Sequence, residues 1–143
     1  MNKMLAVLLL LIFFVLFAGC NVLTGQVNLN KSKAASIKLD CTELCKTRGI
    51  PFATKRFTEQ KDIEVFVRAI NKAEKIQGEI DYAALFHMKV NYKDGSVTTY
   101  HLNIDNRSGS RGLLVETSNT NQGYSIPNEV TEELYNLIVG EIL

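Results

Sequence analysis

Two pairs of side chains in this sequence have the chemistry to form a reactive or metal-binding site. Cys41 and Cys45 are separated by three residues, and His87 and His101 lie on either side of a "KDG" turn. A cysteine pair in an exported protein is most simply a disulfide; a redox or metal-binding dithiol and two free thiols are the alternatives. On a regular helix the Cα atoms of residues four apart lie at the long end of the range that a disulfide permits. A turn or a frayed helix is therefore the favoured conformation for this segment. We therefore predict a Cys41–Cys45 disulfide.

The two histidines supply half of the ligands that a closed zinc site takes. Cys41 and Cys45 complete such a set only if their segment folds over the polar face that carries His87 and His101. Two other interpretations remain for the histidines. They are a mildly pH-sensitive pair, because neighbouring imidazoles resist double protonation, or a solvated pair without a role. The sequence predicts no resident metal ion and no non-covalent cofactor.

The histidines belong to a predicted β-hairpin, "YAALFHMKVNYKDGSVTTYHLNI". Apolar residues alternate along both halves, which is typical of strands with one buried face. A two-residue turn would put the two apolar sets on opposite faces. A three-residue loop at 93–95, with Gly95 left-handed in a bulge, instead pairs Phe86 with Leu102 and keeps one face apolar. The second register also places His87 directly opposite His101.

The remaining segments predict further strands and two helices. "RFTEQKDIEVFVRAINKAEKIQG" has apolar residues at helical spacing, with Thr58 as its cap and Gly78 as its end. "IPNEVTEELYNLIVGEIL" repeats that spacing, while "VNLNK", "RGLLVETS" and "QGYSI" are strand-like. The sequence therefore predicts an α+β domain, in which an antiparallel sheet of about five strands is packed by two helices.

The N-terminus has the pattern of an export signal. An apolar block at 5–17 follows Lys3 and ends at Ala18 and Gly19. The block is shorter than the roughly 20 residues that a membrane-spanning helix needs. A basic start, an apolar centre and small residues are the three parts of a signal peptide. An uncleaved anchor and a simple secretory signal with an incidental cysteine are the alternatives.

The "FAGC" at 17–20 resembles the lipobox of bacterial lipoproteins, with Ala18 and Gly19 matching and Phe17 in place of the usual Leu. The resemblance implies cleavage between Gly19 and Cys20, and a diacylglycerol thioether on Cys20 with acyl chains such as palmitate. A thiolate is a good nucleophile, and two acyl chains hold a protein stably where one does not. We expect a signal peptide at 1–19, a tether at 20–26 and a lipid-anchored protein on the extracytoplasmic face of the cell membrane.

The rest of the chain, 27–143, resembles the YhfM-like domain of small bacterial lipoproteins. The matching segments are "NKS", "DIEVFVRAINKAEK", "VNYKDGSVTTYHLNI", "GLLVE" and "GYSIPNEVTEELYNLI". A segment at about 36–54, which contains both Cys41 and Cys45, looks like an insertion relative to the family. The resemblance implies a fold and a location, and it transfers no catalytic residue.

Charge is unevenly distributed along the expected mature chain. Residues 20–75 contain eleven basic and six acidic residues, whereas residues 76–143 contain four basic and nine acidic residues. The basic segment near Cys20 either lies against anionic lipid or is a solvated tether. Export separates the chain from nucleic acid, and no aromatic residues interleave with the lysines, so we expect no nucleic-acid partner.

No known catalytic motif is present. The sequence lacks G-x-S-x-G, H-E-x-x-H and a phosphate-binding glycine loop. "DNRSGSRG" at 105–112 is interpreted as a hairpin loop, with an anion cradle as the alternative. Glu132 and Glu133 are adjacent on a predicted helix and so point apart. These patterns favour a non-enzymatic binding or interaction module, whose partner besides the membrane is an envelope protein or a small ligand.

Two other functions stay open. The first is a metal-binding or thiol-redox protein that uses Cys41 and Cys45, with His87 and His101. The second is a structural accessory protein of the cell envelope.

Overall fold

The structure, a computed structural model, describes residues 33–140. Its strands, all in one antiparallel sheet, are β1 (Ala34–Cys41), β2 (Thr54–Phe57), β3 (Glu74–Lys75), β4 (Phe86–Tyr92), β5 (Val97–Asn103), β6 (Gly112–Glu116) and β7 (Gly123–Ile126). Its helices are α1 (Glu43–Thr47), α2 (Gln60–Lys72) and α3 (Asn128–Val139). The predicted α+β class with an antiparallel sheet is confirmed. The signal peptide, Cys20, the tether and "VNLNK" lie outside the described residues.

The sheet is larger than predicted, with seven strands in the order β2-β1-β4-β5-β6-β7-β3 and three helices instead of about five strands and two helices. The main addition is β1, which pairs with both β2 and β4. Most of β1 falls within the range 36–54 that was interpreted as an insertion. Its alternation of buried Ile37 and Leu39 with Lys38 and Asp40 is the pattern of a strand with one buried face.

The β4–β5 hairpin has the predicted three-residue loop. Phe86 is paired with Leu102, and His87 is paired with His101. The amide of Tyr92 donates to the carbonyl oxygen of Ser96 at 2.9 Å, which closes the loop. Gly95 has a φ of 85°, a left-handed conformation that favours glycine. The predicted register is therefore confirmed.

One face of the sheet carries the hydrophobic core, and α2 and α3 pack on it and on each other. Phe57 of β2 lies against Phe66 of α2, with ring centroids 4.9 Å apart. Each helix presents one apolar stripe to the sheet, which is why sequence periodicity finds both helices. Arg68 of α2 forms an ion pair with Glu133 of α3 on the outside of the pair.

Helix α2 ends earlier than predicted. It stops at Lys72, well before Gly78, and its first turn is preceded by Glu59, which makes no side-chain capping bond, rather than by Thr58. After the helix, β3 pairs with the free edge of β7. The gain of sheet hydrogen bonds at this edge explains why the chain leaves the helix although the local sequence could continue it.

The second face of the sheet is divided into a covered and an open part. The segment 76–84 crosses β7, where Ile80 approaches Gly123 so closely that a Cβ there would lie 2.9 Å from its Cδ1. The remaining polar surface, which we call the open face, is formed by β2, β1 and β4. Its side chains are those of Lys38, Asp40, Thr54, Arg56, His87, Lys89 and Asn91.

None of the helices within residues 33–140 has the length and apolar character needed to cross a bilayer.

Candidate ligand-binding groove

Two clefts adjoin each other around the loop that connects β5 to β6. The first, of about 360 Å³, lies between this loop and one side of α3. Its lining is polar: Asp105, Asn106, Arg107, Ser108, Gly109, Ser110, Asn128, Glu132, Tyr135 and Asn136. The segment "DNRSGSRG" is thus a hairpin loop that faces a helix side.

The second cleft, of about 450 Å³, lies between the same loop, α1 and the segment 81–85. Its lining is Leu44, Arg48, Asp81, Tyr82, Ala83, Leu85, Asn103, Ile104, Asp105, Arg107, Arg111 and Leu113. The two clefts share Asp105 and Arg107, which stand between them, and we call the two clefts together the loop groove.

Asp105 and Arg107 form an ordered ion pair between the two clefts. The Arg107 amide donates to Oδ1 of Asp105 at 3.0 Å, and its Nε donates to Oδ2 at 2.8 Å. Burial alone would raise the pKa of Asp105, but these hydrogen bonds and the charges of Arg107 and Arg48 outweigh it and lower that pKa. The Arg107 side chain is 80% exposed, so its guanidinium remains open to a ligand.

Two further arginines line the second cleft. Arg111 donates to Ser125 Oγ and to Glu74 Oε2, both at 2.7 Å, so its guanidinium is already paired with a carboxylate. Arg48 follows the last turn of α1 and is exposed, and its guanidinium makes no hydrogen bond or ion pair with the described residues. Because a guanidinium presents a planar fork of donors, Arg48 and Arg107 are suited to bind a carboxylate or phosphate.

The lining of the second cleft also includes the half-buried apolar residues Leu44 and Leu113 and the buried Leu85. Asn103 fixes this wall, because its Oδ1 accepts from the Leu85 amide and its Nδ2 donates to the Ala83 carbonyl oxygen at 2.8 Å. The Thr42 hydroxyl donates to the carbonyl oxygen of Ala84 at 2.7 Å from the other side. The groove therefore combines cations with an apolar wall that hydrogen bonds hold in place.

The cysteine pair fastens α1 to the end of β1. The sulfur atoms of Cys41 and Cys45 lie within bonding distance, and their Cα atoms are 5.4 Å apart. The host is a strand end followed by a single helical turn, which Thr42 caps by accepting from the Cys45 amide at 3.3 Å. Since α1 contributes Leu44 and is followed by Arg48, this link also holds one wall of the loop groove.

The histidine pair lies on the face of the sheet opposite the hydrophobic core, next to Tyr82 of the second cleft. The ring centroids of His87 and His101 are 5.0 Å apart, and Oη of Tyr82 lies 2.7 Å from Nδ1 of His101. Burial, with a smaller contribution from His87, lowers the pKa of His101, while burial raises the pKa of Tyr82. Sequence reasoning missed Tyr82, because nothing in the sequence signals that the segment 76–84 folds back over the sheet.

The structure does not bring the two cysteines and the two histidines together. Cys41 is paired with Phe86 and so shares its buried face, whereas Asp40 is paired with His87 on the opposite face. Within residues 33–140, no three side chains of His, Cys, Asp or Glu are grouped so that they could hold a metal ion. The four-ligand arrangement of Cys41, Cys45, His87 and His101 is therefore not assembled.

The adjacent glutamates of α3 have separate surroundings. Glu132 lines the first cleft of the loop groove, whereas Glu133 is paired with Arg68. They point apart, as helical geometry requires, and do not form a carboxylate pair for acid–base chemistry.

Comparison with known proteins gives one family. The family model described as "YhfM protein" matches residues 44–141, more than half of the chain. A search of curated proteins found no match, and a search of solved structures found none either.

Proposed function

The chain belongs to the YhfM family, and from this membership and the geometry of the loop groove we propose that it is a membrane-anchored extracytoplasmic lipoprotein. In this proposal the chain is cleaved between Gly19 and Cys20, and a diacylglycerol group on Cys20 holds it at the cell membrane. The support is the "FAGC" pattern after a short apolar block. The α+β domain acts as a non-catalytic binding module.

The observation that carries the binding function is the loop groove. Arg48 and Arg107 border the apolar wall formed by Leu44, Leu85 and Leu113. We propose that the groove takes a small envelope ligand, or a segment of an envelope protein, that carries a carboxylate or phosphate next to an apolar group. Arginine is suited to the anionic group, and the leucines are suited to the apolar group.

A binding function fits the groove better than catalysis because two acidic side chains in and beside it are paired with arginines. Asp105 is held by Arg107 with its pKa lowered, and Glu74 is held by Arg111. An acid–base catalyst at neutral pH instead needs a pKa moved toward the working pH. The arrangement therefore favours recognition of charge.

The alternative of a thiol-redox protein is less well supported. A reactive cysteine needs an accessible sulfur, usually beside a positive charge. Cys45 is fully buried in the same core cluster as Leu39. This burial favours a structural disulfide that holds α1 in place.

The anchor is tested by expressing the full chain and a Cys20→Ser variant in a bacterium and separating membranes from soluble material. We expect the wild-type protein in the membrane, with Cys20 as its first residue and a mass increased by diacylglycerol and any further acyl group. The Cys20→Ser protein should lack this modification. A mass difference between the corresponding mature segments no larger than the exchange of sulfur for oxygen would contradict lipidation.

The groove is tested by NMR titration of the mature chain with octanoate and octyl phosphate, and with uncharged octyl glucoside as the control ligand. We expect amide shifts around Leu44, Arg48 and Leu113 with the anionic probes. Arg48→Gln should weaken these shifts, whereas Lys61→Gln, an exposed change on α2, should not. Shifts located elsewhere, or equal shifts with the uncharged probe, would contradict the proposed site.

A further inference from the structure

Three basic side chains stand directly beside each other on the open face. Arg56 of β2 is paired with Lys38 of β1, and Lys38 is paired on its other side with Lys89 of β4. Like charges in directly opposite positions of neighbouring strands destabilise a sheet. The repulsion within this row therefore opposes folding. Because these side chains stand on the polar face, burial of apolar surface does not explain why three basic residues are placed side by side.

Only one member of the row has a carboxylate partner. The Lys38 ammonium lies 2.8 Å from Asp40, which also accepts from the Thr54 hydroxyl at 2.8 Å. Arg56 donates to the neutral Ser36 hydroxyl at 3.3 Å. Neither Arg56 nor Lys89 forms an ion pair with another of the residues that the structure describes. Two positive charges are thus left without an ion-pair partner among residues 33–140.

The surface around the row is polar and uncovered. Helices α2 and α3 occupy the opposite face, and the segment 76–84 covers this face from β7, where Ile80 approaches Gly123, to β5, where Tyr82 contacts His101. Arg56 and Lys89 are exposed, and their neighbours on the open face are Asp40, Thr54 and His87. Apart from Val97 of β5, which is exposed and paired with Asn91, this surface is polar, and it fits a layer of anionic headgroups better than it fits an apolar protein groove.

The open face begins close to the chain's N-terminal segment, which in the proposed lipoprotein leads to the membrane. The described chain starts at Lys33, immediately before β1, the central strand of the open face. If Cys20 carries the lipid, the connecting segment reaches at most about 45 Å when fully extended. The domain is then confined close to the membrane, within reach of its headgroups.

We propose that the open face docks on the anionic headgroups of the membrane that carries the protein, with Arg56, Lys38 and Lys89 facing the lipid phosphates. This proposal rests on the proposed lipid anchor, because the anchor is what keeps the domain close to the membrane. The charge pattern of the open face does not depend on lipidation. Each basic residue near an anionic bilayer strengthens binding about fivefold at moderate salt. In this orientation the loop groove lies at the end of the sheet, where α1 and the β5–β6 loop meet, and not on the docked face.

The test uses residues 20–143 with Cys20→Ser, so that no lipid anchor contributes, and vesicles of phosphatidylcholine with and without phosphatidylglycerol. Co-sedimentation measures the bound fraction. The double variant Arg56→Gln, Lys89→Gln is compared with Lys61→Gln, Lys72→Gln, which makes the same charge change at exposed positions of α2. Thermal unfolding of both variants confirms that each is folded.

We expect the wild-type domain to bind only the phosphatidylglycerol vesicles, and to release them at high salt because screening shortens the reach of its charges. The open-face variant should bind about thirtyfold more weakly, and the α2 variant less than about twofold more weakly. An equal loss in both variants would overturn the proposal, and so would binding that ignores lipid charge. Tighter binding to soluble polyphosphate than to vesicles would assign the face to an anionic polymer instead.

A negative result in the vesicle experiment would not contradict the lipid anchor, which the Cys20→Ser fractionation tests separately. Binding of the unlipidated domain to anionic vesicles would also stand if Cys20 proved to be unmodified.

Discussion

The ammonium group of Lys55 lies 2.8 Å from the carbonyl oxygen of Ile138 and 3.2 Å from that of Leu137, at the end of helix α3. The last turn of α3 contains no basic residue of its own. Lys55 of β2 therefore supplies the positive charge that the end of a helix favours, and it satisfies carbonyl groups that have no partner within the helix. The same ammonium group lies 5.7 Å from the centroid of the Phe52 ring and 5.3 Å from that of the Phe57 ring.

Replacing Lys55 with Met should destabilise the protein by about 1–2 kcal/mol, because the apolar stem is kept while the bonds to the helix end are lost. Urea unfolding followed by circular dichroism gives this free energy. Lys93→Met, at an exposed position of the β4–β5 loop, is the matched control and should change stability by less than about 0.5 kcal/mol. Equal effects of the two substitutions would show that Lys55 does not cap α3.

Thr131 joins α3 to the sheet through a buried hydroxyl. It accepts from the Gly112 amide at 2.8 Å and donates to the Pro127 carbonyl oxygen at 2.9 Å. Thr131→Val keeps the shape but leaves the buried Gly112 amide without its acceptor, so we expect a loss of about 1–3 kcal/mol. Thr131→Ser keeps the hydroxyl and should be closer to wild type in urea unfolding. A larger loss with Ser than with Val would assign the effect to the methyl group.

The Cys41–Cys45 link should stabilise the domain by about 2 kcal/mol or less, because it closes a very short loop. Intact mass with and without reductant tests the bond, which should appear as a gain of two hydrogen atoms on reduction. The paired variant Cys41→Ser, Cys45→Ser should show the same loss of stability as reduced wild type, with no bound metal in elemental analysis. Stoichiometric zinc or copper in reduced protein would support the metal-binding alternative.

Reduction should also alter the loop groove, because α1 precedes Arg48 in the chain and carries Leu44. In NMR spectra, the amides of Leu44 and Arg48 should shift or broaden on reduction more than those of the distant helix α2. Unchanged spectra in this region would show that Thr42 holds α1 without the disulfide.

Acid should destabilise the folded state through His101. Burial and the neighbouring His87 lower the pKa of His101 in the folded protein, so the unfolded chain binds a proton at a higher pH than the folded chain does. As pH falls from about 6.5 toward the folded-state pKa, this group therefore reduces the free energy of unfolding. NMR titration of the imidazole carbons measures the pKa directly.

The variant His87→Gln should raise the pKa of His101 partway toward its ordinary value, because burial, the larger cause, remains. An unchanged His101 titration in this variant would show that the two imidazoles do not interact. Lys89→Gln, a neighbouring change on the same face of β4, is the control for a general effect of positive charge.

Local sequence determined the β4–β5 hairpin, the two long helices and the cysteine pair, because each depends on residues that are close along the chain. The β4–β5 register follows from a period of two and from Gly95, because a one-residue slip would turn every apolar side chain toward water. Helices α2 and α3 follow from their apolar stripes. Cys41 and Cys45 lie close in sequence, so their proximity is fixed almost entirely by the short segment that they enclose.

Strand β1 was not predicted from the sequence. Its alternation of Ile37 and Leu39 with charged residues was visible in the sequence, but likeness to a family led to its interpretation as part of an insertion. Helix α2 shows a second limit, since the edge of β7 draws Glu74 and Lys75 into the sheet. A local propensity does not include the hydrogen bonds that a distant strand offers.

The sequence by itself determined the fold class, the hairpin with its facing histidines and the cysteine pair, because each depends on residues that are close along the chain. Only the tertiary structure decided that Arg56, Lys38 and Lys89 form one row, that Tyr82 reaches His101, and that α1 and the β5–β6 loop enclose a groove. These groups come from separate segments. The order of strands that brings them together is selected by burial of the whole core, which no single segment encodes.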